Sequence, residues 1–301
     1  MSSAPGKFAD LALLLLLSTL WGAAFTFIKI GIATIPPVTL IAVRTLIAVA
    51  ILLAILRWRG IRLPRDPQAW RRFAVQALFN SVAPYTLIAW AEHYVDAGLT
   101  TILGSCSPIL AFLWTWGITR HETVTPRKLF GIMAGLGGIC LIIGMDALQG
   151  LGSQLLPQLA IVLASVCYGA AAIYGSNFRA MDPMVAAAGS LLCGMAIMIP
   201  LALLLDRPWE LSPSVDSLLA LFGLAVFSTA LAFVVYFRLI GSLGSVGTTA
   251  QAYLRVPIGV AIGVVFLDET LTVTAWIGLA CVVAGVAAMT LPSRAARPAA
   301  R

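Results

Sequence analysis

LALLLLLSTLWGAAFTFIKI, residues 11–30, decides the fold, because it is 20 residues long and carries one charge, Lys29 near its end. A helix needs ~20 apolar residues to cross the hydrocarbon core of a bilayer. The run has no small-residue cleavage site at a fitting distance, so it reads as a permanent membrane helix rather than a signal peptide. The motif inside it returns: Ser18-Thr-Leu-Trp21-Gly22-Ala23-Ala24 lines up with Ser165-Val-Cys-Tyr168-Gly169-Ala170-Ala171, an offset of 147 residues.

Working outward, windows of similar length and apolarity fall near 10–31, 37–57, 72–93, 97–118, 127–147, 155–178, 184–205, 215–238, 244–267 and 273–292. Of the chain's 301 residues, 60% are hydrophobic and 10% charged, where soluble domains carry roughly 25% charged residues. The five cysteines all lie in apolar stretches without metal-ligand spacing, so they read as small apolar filler.

The loop charges test the count, since Lys and Arg gather on the cytoplasmic side. With the N-terminus inside, ten spans put 15 of the 19 basic residues on cytoplasmic segments, among them Arg57, Arg59, Arg62, Arg65, Arg71 and Arg72. The outer segments receive Lys29 and Arg207, together with Asp96, Asp146, Asp206, Glu210, Asp216, Asp268 and Glu269. Arg44 and Arg255 stay inside spans. The net charge of +7 therefore reports orientation and gives no support for nucleic-acid binding.

The repeat extends well beyond its first motif. Pro37 corresponds to Pro183, Gly98 to Gly247, and Pro108 to Pro257. Glu122-Thr-Val-Thr125 resembles Glu269-Thr-Leu-Thr272, and Gly131 and Gly138 fall on Gly278 and Gly285. Five spans per copy is an odd number, so the second copy enters from the opposite side, the inverted-topology arrangement of secondary transporters. The expected fold is all-α and integral to the membrane: ten helices as two inverted five-helix repeats, 8–147 and 153–292, with a basic tail at 293–301 and both termini cytoplasmic.

The Trp-Gly of the first span, the mid-span prolines and the acid-Thr-x-Thr link before a Gly-rich last helix resemble the drug/metabolite transporter superfamily. Within it the chain is similar to the ten-helix type with two EamA domains, amino-acid exporters among them, over roughly residues 10 to 292. The resemblance implies a pocket built by spans 1–4 and 6–9, with spans 5 and 10 peripheral, and solute movement without ATP. The second half departs from the pattern in carrying Tyr168 where the first has Trp21.

A mid-span proline frees the carbonyl four residues earlier, which is Gly104 for Pro108 and Tyr253 for Pro257. Paired interruptions in corresponding spans point to a transporter's site, so Pro108 and Pro257 are the expected helix breaks. Arg255 stands two positions before Pro257, near the centre of the ninth span, where a charge costs ~2.5–3.5 kcal/mol even on a lenient scale. It must face the interior, to pair either with an anionic group on the substrate or with carbonyls that the prolines free. Arg44 lies about eight residues from the outer end of its span, roughly 12 Å deep, within reach of Glu92.

Trp21, Tyr168, Tyr253, Tyr85, Gln251, Asn80 and Ser105 complete the expected substrate pocket. Thr248, Gln251 and Arg255 form a stripe at helical spacing, as do Thr101 with Ser105 and Gln76 with Asn80. Such stripes also serve to hydrogen-bond helix to helix. Glu92 and His93, the titratable candidates for proton coupling, sit near an outer span end, so facilitated export or exchange fits at least as well.

No catalytic or metal site and no cofactor is expected: the chain lacks HExxH, GxSxG, GxGxxG and Walker patterns. The expected partners are a small-molecule substrate and the lipid bilayer, with no nucleic acid, and the oligomeric state is open, a monomer included. The function read from the sequence is export of small metabolites such as amino acids, by alternating access. Export of cationic drugs or nucleotide-like metabolites, and a lipid-handling enzyme, are the alternatives.

Overall fold

The computed structural model describes residues 4–91, 94–95, 103–104, 106–114, 125–143, 151, 153–258 and 273–290. Among these there is no strand, and each of the ten windows contains helix. In the first half α1 (Ala4–Gly31) and α2 (Pro37–Trp58) are followed by α3 (Pro67–Ala77), a π segment Leu78–Val82 and α4 (Ala83–Ala91), which together form one span. Two more helices, α5 (Ser107–Trp114) and α6 (Pro126–Ile143), complete that half. The second half has α7 (Leu155–Tyr174), α8 (Pro183–Leu205), then α9 (Val215–Ala225), a π segment Val226–Leu231 and α10 (Ala232–Ser242) as one span. It ends with α11 (Gly244–Thr249), α12 (251–258) and α13 (Val273–Thr290).

Among the described residues, four stretches are long and apolar enough to cross a membrane: Pro37–Trp58, Leu155–Phe178, Pro183–Leu205 and Val215–Ser242. Leu204, Leu219 and Phe222 stand exposed on their outer faces. An apolar exterior on helices whose backbone bonds are satisfied internally suits a hydrocarbon solvent.

Several starts follow from simple chemistry. Asp66 accepts hydrogen bonds from the backbone N–H of Gln68 and Ala69, and Asp182 from that of Met184. Each acid is followed by a proline at the first helical position, whose missing N–H costs nothing there. Pro37 opens α2 in the same way, so the matched prolines 37 and 183 hold equivalent places.

The first π segment lies just before Pro84, whose ring clashes with a regular helical turn and leaves a carbonyl without its donor. The second contains no proline. There the Thr229 hydroxyl bonds the Leu224 carbonyl at 2.8 Å, a five-residue reach that the wider turn permits. The two segments start 148 residues apart, at corresponding places in the two halves.

Contacts between the halves pair the first span with the eighth, the second with the seventh, the third with the sixth and the fifth with the tenth. Exchanging the halves leaves that set unchanged. Ser217, near the start of α9, donates to the carbonyl of Ile30 at the end of α1. Asp206, at the end of α8, accepts from Thr39 at the start of α2 at 2.7 and 2.9 Å. Both pairs therefore run antiparallel.

The seam between α6 and α13 is the tightest contact. A Cβ on Gly131 would stand 2.6 Å from the Gly285 carbonyl, and one on Gly138 the same distance from that of Gly278. These four glycines are the ones matched between the repeats. Each meets the counterpart of the other.

Candidate functional site

Six spans bring one side chain or more each to a common interior region. Trp21 comes from α1, Arg44 from α2, Tyr85 from α4 and Tyr168 from α7. Ser228 and Thr229 come from the second π segment, and Gln251 and Arg255 from α12. Among the described residues neither α6 nor α13 contributes a side chain there, and neither do α5 and α8 of the fourth and seventh spans, which were expected to help build the pocket.

The Arg255 guanidinium lies over the Trp21 ring, 5.3 Å from its centroid, and Nε donates to Gln251 Oε1 at 2.8 Å. Trp21 is itself fixed: Nε1 donates to the Ser228 carbonyl at 3.2 Å, and its ring packs against Phe233 and Tyr236. That carbonyl belongs to the π segment, where the helix does not use every acceptor for itself. Ser228 also donates to the Leu20 carbonyl at 2.6 Å, which ties the first and eighth spans at this depth.

Arg44 is 3% exposed, and Glu92, its expected partner, lies outside the described residues. It donates from Nε to Thr229 Oγ1 and from Nη2 to Tyr85 Oη, both at 3.1 Å, with its guanidinium 4.6 Å from the Tyr85 ring centroid. The hydroxyl of Tyr168 is within electrostatic reach of Tyr85, Arg255 and Arg44. Each cation thus lies against one aromatic ring, Arg44 against Tyr85 and Arg255 against Trp21. Among the described residues the resolved ion pair is Arg207 with Glu210, both well exposed. No described acid stands within ion-pair distance of the buried Arg44 or the half-buried Arg255.

Other expected site residues lie elsewhere. Tyr253 is 0% exposed, donates to the Ile132 carbonyl at 3.2 Å and packs its ring onto Gly135, so it faces α6. Asn80 is buried in the first π segment with its amide nitrogen unpartnered. Gln76 donates to the Ala171 carbonyl at 3.2 Å, which makes it a strut between the third and sixth spans. Ser105, Thr101, Glu92, His93 and the Glu269-Thr-Leu-Thr272 motif lie outside the described residues.

Pro108 and Pro257 both lie on helix, in α5 and α12. The Gly104 carbonyl freed by Pro108 accepts from Ser107 at 3.0 Å and from Ser165 at 3.2 Å, and Ser165 also reaches the Leu103 carbonyl. The repeated serine therefore satisfies a broken helix in the first half. Its neighbour Gly169 lets α5 pass: a Cβ there would stand 3.0 Å from the Ala111 nitrogen.

Sequence reasoning missed Ser228, Thr229, Phe233 and Tyr236. An offset of 148 carries Asn80-Ser81 onto Ser228-Thr229, and that match of polar pairs was the available signal.

Comparison with known proteins follows this geometry. The profile described as "EamA-like transporter family" matches residues 9–144 and 155–291. "Uncharacterized inner membrane transporter YedA" of Escherichia coli K12 is 27% identical over 275 residues, which is 90% of this chain and 87% of that protein. "Uncharacterized transporter YvbV" of Bacillus subtilis 168 is 25% identical over 294 residues, 96% of this chain and 93% of its own. A solved crystal structure at 21% identity superimposes with a TM-score of 0.76, over 94% of this chain and 98% of its own, a likeness of fold alone.

Proposed function

Given that the chain belongs to the EamA-like transporter family, we propose that it is a secondary exporter of small metabolites, working by alternating access and without ATP. Membership makes it a multi-pass membrane transporter and not an enzyme. The inner membrane named for YedA is its compartment in this reading. The favoured solutes are amphipathic and carry a carboxylate, with amino acids the first to test.

The observation that carries the reading is the pair of guanidiniums held in the interior where the halves meet. Buried charges are stable when paired, and a structural charge in a membrane helix would have its counter-ion built in. A site with cations and no fixed acid is suited to an anionic visitor. It is poorly suited to a cationic drug, which would meet like charge.

Two inverted repeats, 8–147 and 153–292, are supported by the seam. In a two-fold contact residue i meets the equivalent of j while j meets the equivalent of i, and the four glycines obey that rule. Because α6 and α13 run antiparallel there, a symmetry axis relating them lies across the helices, in the membrane plane. The basic loops, with the 293–301 tail, put both termini in the cytoplasm. Rocking of one half against the other is the motion such repeats provide.

Reconstitution tests the function directly. Purified protein in liposomes should give saturable counterflow of labelled amino acids or other carboxylates, and Arg255→Gln should lower it about tenfold or more. Normal flux in Arg255→Gln liposomes would rule out substrate pairing. Ohmic current in place of saturable exchange would rule out a carrier.

A further inference from the structure

We propose that the interior site is a two-guanidinium cradle for a small organic dianion, a dicarboxylate or a phosphate monoester, with Arg44 as the second anchor beside Arg255. The proposal rests on the carrier reading and narrows its solutes from carboxylates in general, zwitterionic amino acids included, to dianions.

Arg44 is held as a ligand would need it. The single proton of the Thr229 hydroxyl goes to the Leu224 carbonyl, so only lone pairs face Arg44 Nε. Tyr85 Oη accepts from Nη2 and keeps its own proton. Nη1 of Arg44 and both Nη groups of Arg255 have no acceptor among the described residues. Neither does the Tyr168 hydroxyl, which is within electrostatic reach of both cations. The interior therefore presents a set of unmatched donors and two positive charges on neighbouring spans.

The inventory of acceptors excludes as much as it admits. Gln251 Oε1 is already taken by Arg255, and no described carboxylate reaches the site. The ammonium of a zwitterion would be buried without a counter-ion, which is costly. A monoanion would leave one guanidinium unmatched. A solute with two negative charges matches both, through charge-assisted bonds that the planar forks of arginine donate in pairs. Trp21 is not open to the solute on the face that Arg255 covers, so its role is to orient that guanidinium.

The test compares solutes of one size and different charge. Liposomes holding the full chain at pH 7.5 are assayed for counterflow of labelled succinate. The competitors are succinate, its monoamide, its diamide, glycerol 3-phosphate and a zwitterionic amino acid. Thermal unfolding of the purified protein with each compound gives a second readout, independent of flux. The dianions should compete at concentrations about tenfold or more below the monoamide, and the diamide should not compete. Arg44→Gln should bring dianion and monoamide within about twofold of each other, and Arg44→Lys should restore part of the difference.

Preference for succinate or for the phosphate ester tells the two sources apart, and either supports the cradle. Equal competition by the monoamide or zwitterion, or an Arg44→Gln protein with its preference intact, overturns the dianion and leaves the carrier standing. Absence of counterflow for every solute, charged or neutral, sinks the carrier reading itself. If Arg44→Gln does not fold, Thr229→Val, which removes the Nε acceptor together with the hydroxyl's bond to the Leu224 carbonyl, must reduce the same ratio.

Discussion

Between α6 and α13 the backbones come so close that a methyl group on Gly131 or Gly138 would overlap the opposite carbonyl. Around Tyr168, by contrast, two guanidiniums keep nitrogen atoms for which the described protein supplies no acceptor. The seam is apolar, dense and complete in itself. The region around the guanidiniums is charged, and in the proposed reading a solute completes it. One region gives the chain its stability, and the other spends some of it, as binding sites commonly do.

The largest effect should come from filling the seam. Gly138→Val puts a branched side chain against the Gly278 carbonyl and Val282, both under 3 Å from the new Cβ. The cost should be about 3 kcal/mol or more, since backbone on both sides cannot yield as a side chain would. Its neighbour has open space, with no atom within 4 Å of a Cβ on Gly137. Gly137→Ala should raise stability by ~0.5–1 kcal/mol through helix propensity. Thermal unfolding in detergent reads both, and equal behaviour of the two variants would break the contrast.

The same unfolding measurement on Arg255→Gln separates the chamber from the seam. Removing a buried charge that has no fixed counter-ion should leave stability unchanged or raise it, while transport falls. A melting temperature lowered by several degrees would make Arg255 a structural strut. The expected split between folding and flux is the signature of a residue that acts on the solute.

How much of this was legible follows the same division. The seam glycines, the opening prolines and the count of spans stand in the sequence, because helix length and backbone contact act through local patterns. Arg255 was visible as a charge with no depth-matched acid, and Trp21 and Tyr168 as repeated aromatics. The chamber was harder to read. Thr229 is an ordinary residue until a π turn aims its hydroxyl at Leu224 and its lone pairs at Arg44. Tyr253 looked like pocket lining from its place beside Arg255, yet the helix turns it onto Gly135. Which face of a helix looks inward is set by packing against five other spans, and no short motif encodes that.

The repeated Trp-Gly and Tyr-Gly positions allow a subtler test of the two halves. A Cβ on Gly169 would stand 3.0 Å from the Ala111 nitrogen, whereas one on Gly22 would stand 3.9 Å from the Arg255 carbonyl. Gly169→Ala should cost ~1–2 kcal/mol, while Gly22→Ala should be neutral or stabilise by up to ~1 kcal/mol. The first half is looser here, on the side where Arg255 sits. Equal costs would mean that the two glycines serve closure alike.

The smallest effect belongs to the polar atoms buried beside the chamber. Ser81 Oγ and Ser190 Oγ are buried without a partner among the described residues. A lone buried hydroxyl costs ~1–3 kcal/mol, so its removal returns part of that sum, less the small cavity left behind. Ser190→Ala, which deletes one oxygen from the middle of α8, should therefore raise stability by ~0.5–1 kcal/mol. The sign is the informative part. A gain places the hydroxyl in a dry helix interface, continuous in character with the seam. A loss means that water reaches α8, which would extend the wet chamber toward the seventh span and blur the boundary between the two regions.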